Sequence, residues 1–105
     1  MKTADYKVKT FRLLFVVILV ALLEGCSHYD GEQLFHSEGC VTCHRFKNTG
    51  GGMGPDLTAV TQIRSDSSID AYLQNPGKYN PRTRMPSFAH LSKPERQAII
   101  SFLKN

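Results

Sequence analysis

Hydrophobic and polar positions follow two distinct regimes along this chain. Near its start, an unbroken apolar run from Leu13 to Leu23 follows a basic segment holding Lys2, Lys7, Lys9 and Arg12. As a helix, these eleven residues rise ~16 Å, against a bilayer hydrocarbon core of ~30 Å. That is short for a membrane span and suits the apolar core of a secretory signal. Beyond it, apolar residues come in short patches at helical spacing. Asp30 is placed to cap a helix over about Gly31 to Glu38, with Leu34 and Phe35 on its apolar side and Gly31 and Phe35 sharing a face at i, i+4. Gly39 then ends it.

Asp66 or Ser67 can cap a second helix over about Ser68 to Gln74, with Ile69, Tyr72 and Leu73 inward, and Asn75-Pro76 stops it. Gly77 to Arg84 reads as a polar loop. Ser92-Lys93-Pro94-Glu95 is a capping box that opens a last helix to about Lys104, where Ile99, Phe102 and Leu103 form an apolar stripe. No run alternates convincingly enough for a strand, and no internal repeat is visible. The expected class is all-α: three to four short helices and loops.

Between the first two helices lies Cys40-Val41-Thr42-Cys43-His44. Two thiols three apart, followed at once by histidine, suit covalent attachment of a c-type haem. Each sulfur can form a thioether, and the turn between them brings His44 to the iron. A zinc site would need a second ligand pair, and Cys26, His28, His36 and His90 form none. A redox dithiol would be expected to follow a strand in a β/α pattern, which is missing here. The glycine-rich stretch Asn48 to Pro55 lacks the G-K-[ST] ending of a phosphate loop and reads as backbone passing the haem edge.

Composition changes the picture in two ways. The 105 residues carry a formal charge of +4, but beyond residue 25 nine Lys/Arg stand against seven Asp/Glu. Half of the basic balance thus belongs to the leader, and no basic stripe points to nucleic acid. The remaining chain is also marginal for an apolar core of its own. A buried haem gives every patch a surface to pack on.

Leu23-Glu24-Gly25-Cys26 resembles a bacterial lipoprotein cleavage site, from which Glu24 departs. The chain then divides into a leader at 1–25, a tether at 26–30 and a domain at 31–105. The resemblance implies a lipidated Cys26 on the periplasmic side of a bacterial membrane; ordinary cleavage or an uncleaved anchor are the alternatives.

For the iron's second axial position the candidates are Met53, Met85, His28, His36 and His90. Met85, held between Arg84 and Pro86 in a polar loop, is favoured. Met53 sits close to His44 along the chain, and His36 reads as a surface side chain.

Five stretches in order, Gly39-Cys40-x-x-Cys43-His44, Gly54-Pro55-Asp56-Leu57, Leu73-x-Asn75-Pro76, Met85-Pro86-x-Phe88 and Leu91-Ser92, resemble a small bacterial class I monohaem cytochrome c. The resemblance implies one haem wrapped by helices, and first and last helices that cross, pairing Gly31 and Phe35 with Ile99 and Phe102. It further implies a Pro55 carbonyl facing the His44 imidazole and Arg64 near a haem propionate, with Tyr79 and Arg84 as other propionate partners. Asp56 is expected to cap a turn near Leu57.

The implied activity is electron transfer between redox proteins, with no small-molecule substrate and no catalysis. The rivals are a haem enzyme or gas sensor with a labile Met85, and an accessory haem subunit of a respiratory complex.

Overall fold

The computed structural model describes residues 2–23 and 28–105; Cys26 and its lipidation lie outside the described residues. Helix α1 (Lys2–Leu23) takes up the leader. Among the described residues, no helix is long and apolar enough to cross a membrane.

The domain is built on three longer helices: α2 (Gly31–Ser37), α5 (Asp66–Gln74) and α7 (Lys93–Leu103). Three single turns join them: α3 (Cys40–Cys43), α4 (Val60–Ile63) and α6 (Pro76–Tyr79). Helix α2 starts as its sequence demands, since the Asp30 carboxylate accepts from Gln33 N at 3.1 Å. It then crosses α7. A Cβ built at Gly31 would overlap the Ala98 carbonyl and stand 2.9 Å from Phe102 Cβ. Only glycine lets the two backbones approach this closely. Phe35 meets Phe102 at 5.5 Å between ring centroids, and Phe46 meets Phe102 at 5.0 Å. The tilted aromatic trio seals the crossing.

Phe46 reaches that cluster by an element the sequence reading lacks. Strands β1 (Arg45–Phe46) and β2 (Thr49–Gly50) pair antiparallel, Arg45 opposite Gly50 and Phe46 opposite Thr49. Lys47 and Asn48 form the two-residue turn with φ of 47° and 66°. Positive φ at both central positions is the mark of a type I′ turn, whose twist matches that of its strands. The expectation of no strand is corrected by this minimal hairpin.

Two further expectations change. Ser65, rather than Asp66 or Ser67, caps α5, its hydroxyl accepting from Ser68 N at 3.2 Å. Asp66 is already helical, with its carboxylate in the first turn where the dipole favours it. Asn75-Pro76 does end α5, but the loop expected after it begins as α6. Asn75 N donates to the Ala71 carbonyl and Asn75 Oδ1 accepts from Lys78 N at 3.2 Å, so one residue closes a helix with its backbone and opens the next with its side chain.

Helix α7 carries the full capping box. Ser92 Oγ accepts from Glu95 N, and Glu95 Oε2 accepts from Ser92 N at 2.6 Å. That bond from the Ser92 backbone, with the serine hydroxyl second, holds the Glu95 carboxyl below the ordinary glutamate range. A carboxyl whose folded pKa is depressed stabilises the fold above its unfolded value of ~4.3, and that contribution is lost as pH falls through the folded pKa. Glu95→Gln is therefore expected to melt below wild type at pH 7, with the gap narrowing as pH drops under ~4. A melting series from pH 7 to 3 checks this, and a constant gap would refute it. Ser92→Ala is expected to cost about 1 kcal/mol.

The core gathers Phe35, Ile69, Leu73, Phe88, Leu91 and Ile99 among its buried residues. Among the described residues the buried charged one is Arg96, which donates from Nε to Asp70 Oδ1 at 2.8 Å and from Nη1 to the Leu91 carbonyl at 2.5 Å. The pair ties α5 to α7 with its polar atoms satisfied.

Candidate haem site

The three helices enclose a cavity of about 840 Å³, within the range of ligand sites, ~300–1,000 Å³. Its walls are mostly apolar, with Leu57, Val60, Ile69, Leu73, Ile99 and Leu103 contributing side chains. Cys40 and Cys43 open onto it from the two ends of α3. Burial pushes the Cys40 thiol up to about 11, so ahead of any thioether bond this sulfur is a neutral S–H in an apolar wall.

His44 follows immediately, its backbone N–H bonded to the Cys40 carbonyl at 2.9 Å. Its Nδ1 lies 2.8 Å from the Pro55 carbonyl oxygen. A carbonyl can only accept, so Nδ1 carries a proton, and in the neutral ring the lone pair is then on Nε2. That is the tautomer a metal ligand needs, with the outer hydrogen bond fixing the ring.

The glycine-rich segment packs on the Cys–His turn. Gly51 N donates to the Val41 carbonyl at 2.9 Å and Gly54 N to the Cys43 carbonyl at 2.7 Å. A Cβ at Gly54 would stand 2.5 Å from His44 Cε1. The loop thus clasps the Cys–His turn and packs on the imidazole, while Met53, Gly54 and Pro55 also border the cavity. Asp56 behaves as expected: its carboxylate accepts from the Thr58 hydroxyl and from Thr58 N, which holds it below the usual carboxylate range.

Among the candidate second ligands, the structure sorts clearly. Met85 is half-buried and lines the cavity. Met53 also borders it but is 72 % exposed, its sulfur 3.9 Å from that of Cys43. None of the described histidines besides His44 lines the cavity. His28 and His36 are exposed, and His90 pairs with Glu38 at 2.8 Å.

Arg64 and Arg84 line the cavity. Tyr79 does not; it stacks on Tyr72, centroids 5.8 Å apart, and only Tyr72 faces the interior space. Sequence reasoning passed over Arg82 and Asn80, which also border the cavity. Both sit in a stretch with no apolar periodicity, which left no signal to find.

The donor set, the apolar lining and the cavity size fit one flat, covalently held porphyrin. A family model for cytochrome c matches residues 29–105, and the chain belongs to that family. It is an all-α, haem-based electron carrier, with haem c attached through Cys40 and Cys43. The chain is also similar to the cytochrome c oxidase subunit 2 of Alkalihalophilus pseudofirmus (strain ATCC BAA-2126 / JCM 17055 / OF4), 24 % identical over 84 residues. That match covers 72 % of this chain and 25 % of the relative, so the chain spans about a quarter of that protein's length.

Proposed function

We propose that this chain is a membrane-tethered, non-catalytic carrier of single electrons between redox proteins on the periplasmic side of a bacterial membrane. When bound, haem c supplies a one-electron ferrous/ferric couple. His44 and Met85 would hold its iron in this reading, and a lipid on Cys26 would confine the domain to a membrane surface. The observation that carries the ligand assignment is the sorting of side chains around one cavity. His44 borders it with Nε2 free, Met85 borders it half-buried, and the described histidines besides His44 stand outside it.

A soft thioether paired with imidazole would favour the reduced state and raise the potential. Arg64, on the cavity wall, is assigned to a haem propionate, because a buried or half-buried carboxylate needs a cation beside it.

Met85→Ala is expected to abolish the weak absorption of methionine sulfur on ferric haem, lower the reduction potential and admit carbon monoxide to the reduced protein. Met53→Ala should leave all three unchanged. Loss of the band in the Met53 variant instead would reverse the assignment.

The similarity to an oxidase subunit supports a second reading, in which the domain serves as a fixed haem relay inside a respiratory complex. Gentle solubilisation separates the two: a free carrier elutes alone, and a relay elutes with its complex.

A further inference from the structure

We propose that Ser87 is a positioning residue for the sulfur of Met85, controlling how readily the methionine loop leaves the cavity. The inference rests on the Met85 ligation reading above.

Residues 83–88 belong to no helix or strand. Such a segment stays in place only where its polar groups are tied to something rigid. Upstream of Met85 the ties are local. Met85 N donates to Thr83 Oγ1 at 3.1 Å, and Thr83 N to the Asn80 carbonyl at 3.0 Å, so the loop there holds only itself.

Downstream the ties reach α5. Its last carbonyls have no partner within the helix. Two of them are taken by the methionine loop: Leu73 by Phe88 N at 2.8 Å, and Gln74 by the Ser87 hydroxyl at 2.6 Å. The same hydroxyl accepts from Ala89 N at 3.2 Å. Behind Gln74 the anchor is stiff. Its Nε2 donates to Asp70 Oδ2 at 2.8 Å, Asp70 Oδ1 accepts from Arg96 Nε, and Arg96 reaches the Leu91 carbonyl. One connected set of bonds therefore runs from α7 through α5 to a point two residues past Met85. Within it, the Ser87 hydroxyl is the side-chain group on the loop that grips α5, and it can be removed without touching the backbone.

Loss of that grip lowers the free energy of a local opening in which Met85 swings out. An outside ligand then binds in its place, and its apparent affinity rises with the open fraction. The oxidised, haem-loaded full chain is titrated with imidazole while the methionine band is followed. Ser87→Ala is expected to bind imidazole about fivefold more tightly than wild type, the equivalent of one hydrogen bond of about 1 kcal/mol. Ser87→Thr, which keeps the hydroxyl, is expected to restore the wild-type affinity. The pair Ser87→Thr and Ser87→Val, matched in shape and differing in the hydroxyl, carries the same comparison should Ser87→Ala fail to accumulate.

A merely structural serine would lower the melting temperature and leave imidazole affinity within twofold of wild type; that result overturns the proposal while the band persists. If wild type itself lacks the band and matches Met85→Ala, the ligation reading has failed, and the role of Ser87 falls with it.

Discussion

Replacing both Cys40 and Cys43 with alanine is expected to yield a chain with little helix and no cooperative melt under conditions where the wild type acquires haem. The reason is volume. Residual cavities destabilise a core by about 24 cal/mol per Å³. Applied to the cavity of about 840 Å³, that coefficient gives about 20 kcal/mol, against a total stability of ~5–15 kcal/mol for a domain. The cavity is open to water, which reduces the penalty, but a quarter of it would already consume the stability of a small domain. The core residues around it, Ile69, Leu73 and Ile99, would face one another across a gap they cannot close. Far-UV circular dichroism with a thermal scan checks this. A native-like spectrum and a sharp transition without haem would show that the polypeptide packs on itself, contrary to the volume argument.

Gly31→Ala is expected to lower stability by about 2–3 kcal/mol, although alanine is the better helix former by ~1 kcal/mol. At this domain size that is about 10–20 °C in melting temperature. The new methyl would meet the backbone of Ala98 rather than a side chain that could turn away. Relief requires α2 and α7 to separate, which in turn loosens the contacts of Phe35 and Phe46 with Phe102. Gly52→Ala is the matched control, since a Cβ there meets nothing within 4 Å. A Gly31 variant that melts with the Gly52 variant would remove the crossing as a close-packed joint.

Much of this could be read from the residues, and what could not has physical causes. The capping box of α7 and the Asp30 cap of α2 are written in adjacent side chains, because helix ends are local chemistry. The Cys–His motif is legible for the same reason. The hairpin at Arg45–Gly50 was not. Its turn is Lys47-Asn48, whose lysine holds φ of 47° without the glycine that usually marks such a turn. Arg96 was hidden differently: a lone arginine in a helix reads as surface, and its burial is decided by Asp70 on another helix. The glycine-rich loop showed the need for close approach but not its object. Gly54 yields space to the His44 ring, a relation fixed only once the chain has turned back on itself.

The Gly31–Ala98 joint also sets an order of events. A polypeptide is made from its N-terminus, so α2 exists for seconds before α7 follows, at ~5–20 residues per second. Throughout that interval the thiols of Cys40 and Cys43 have no finished wall behind them. Docking of the last helix against Gly31 would then be the step that closes the wall over a porphyrin.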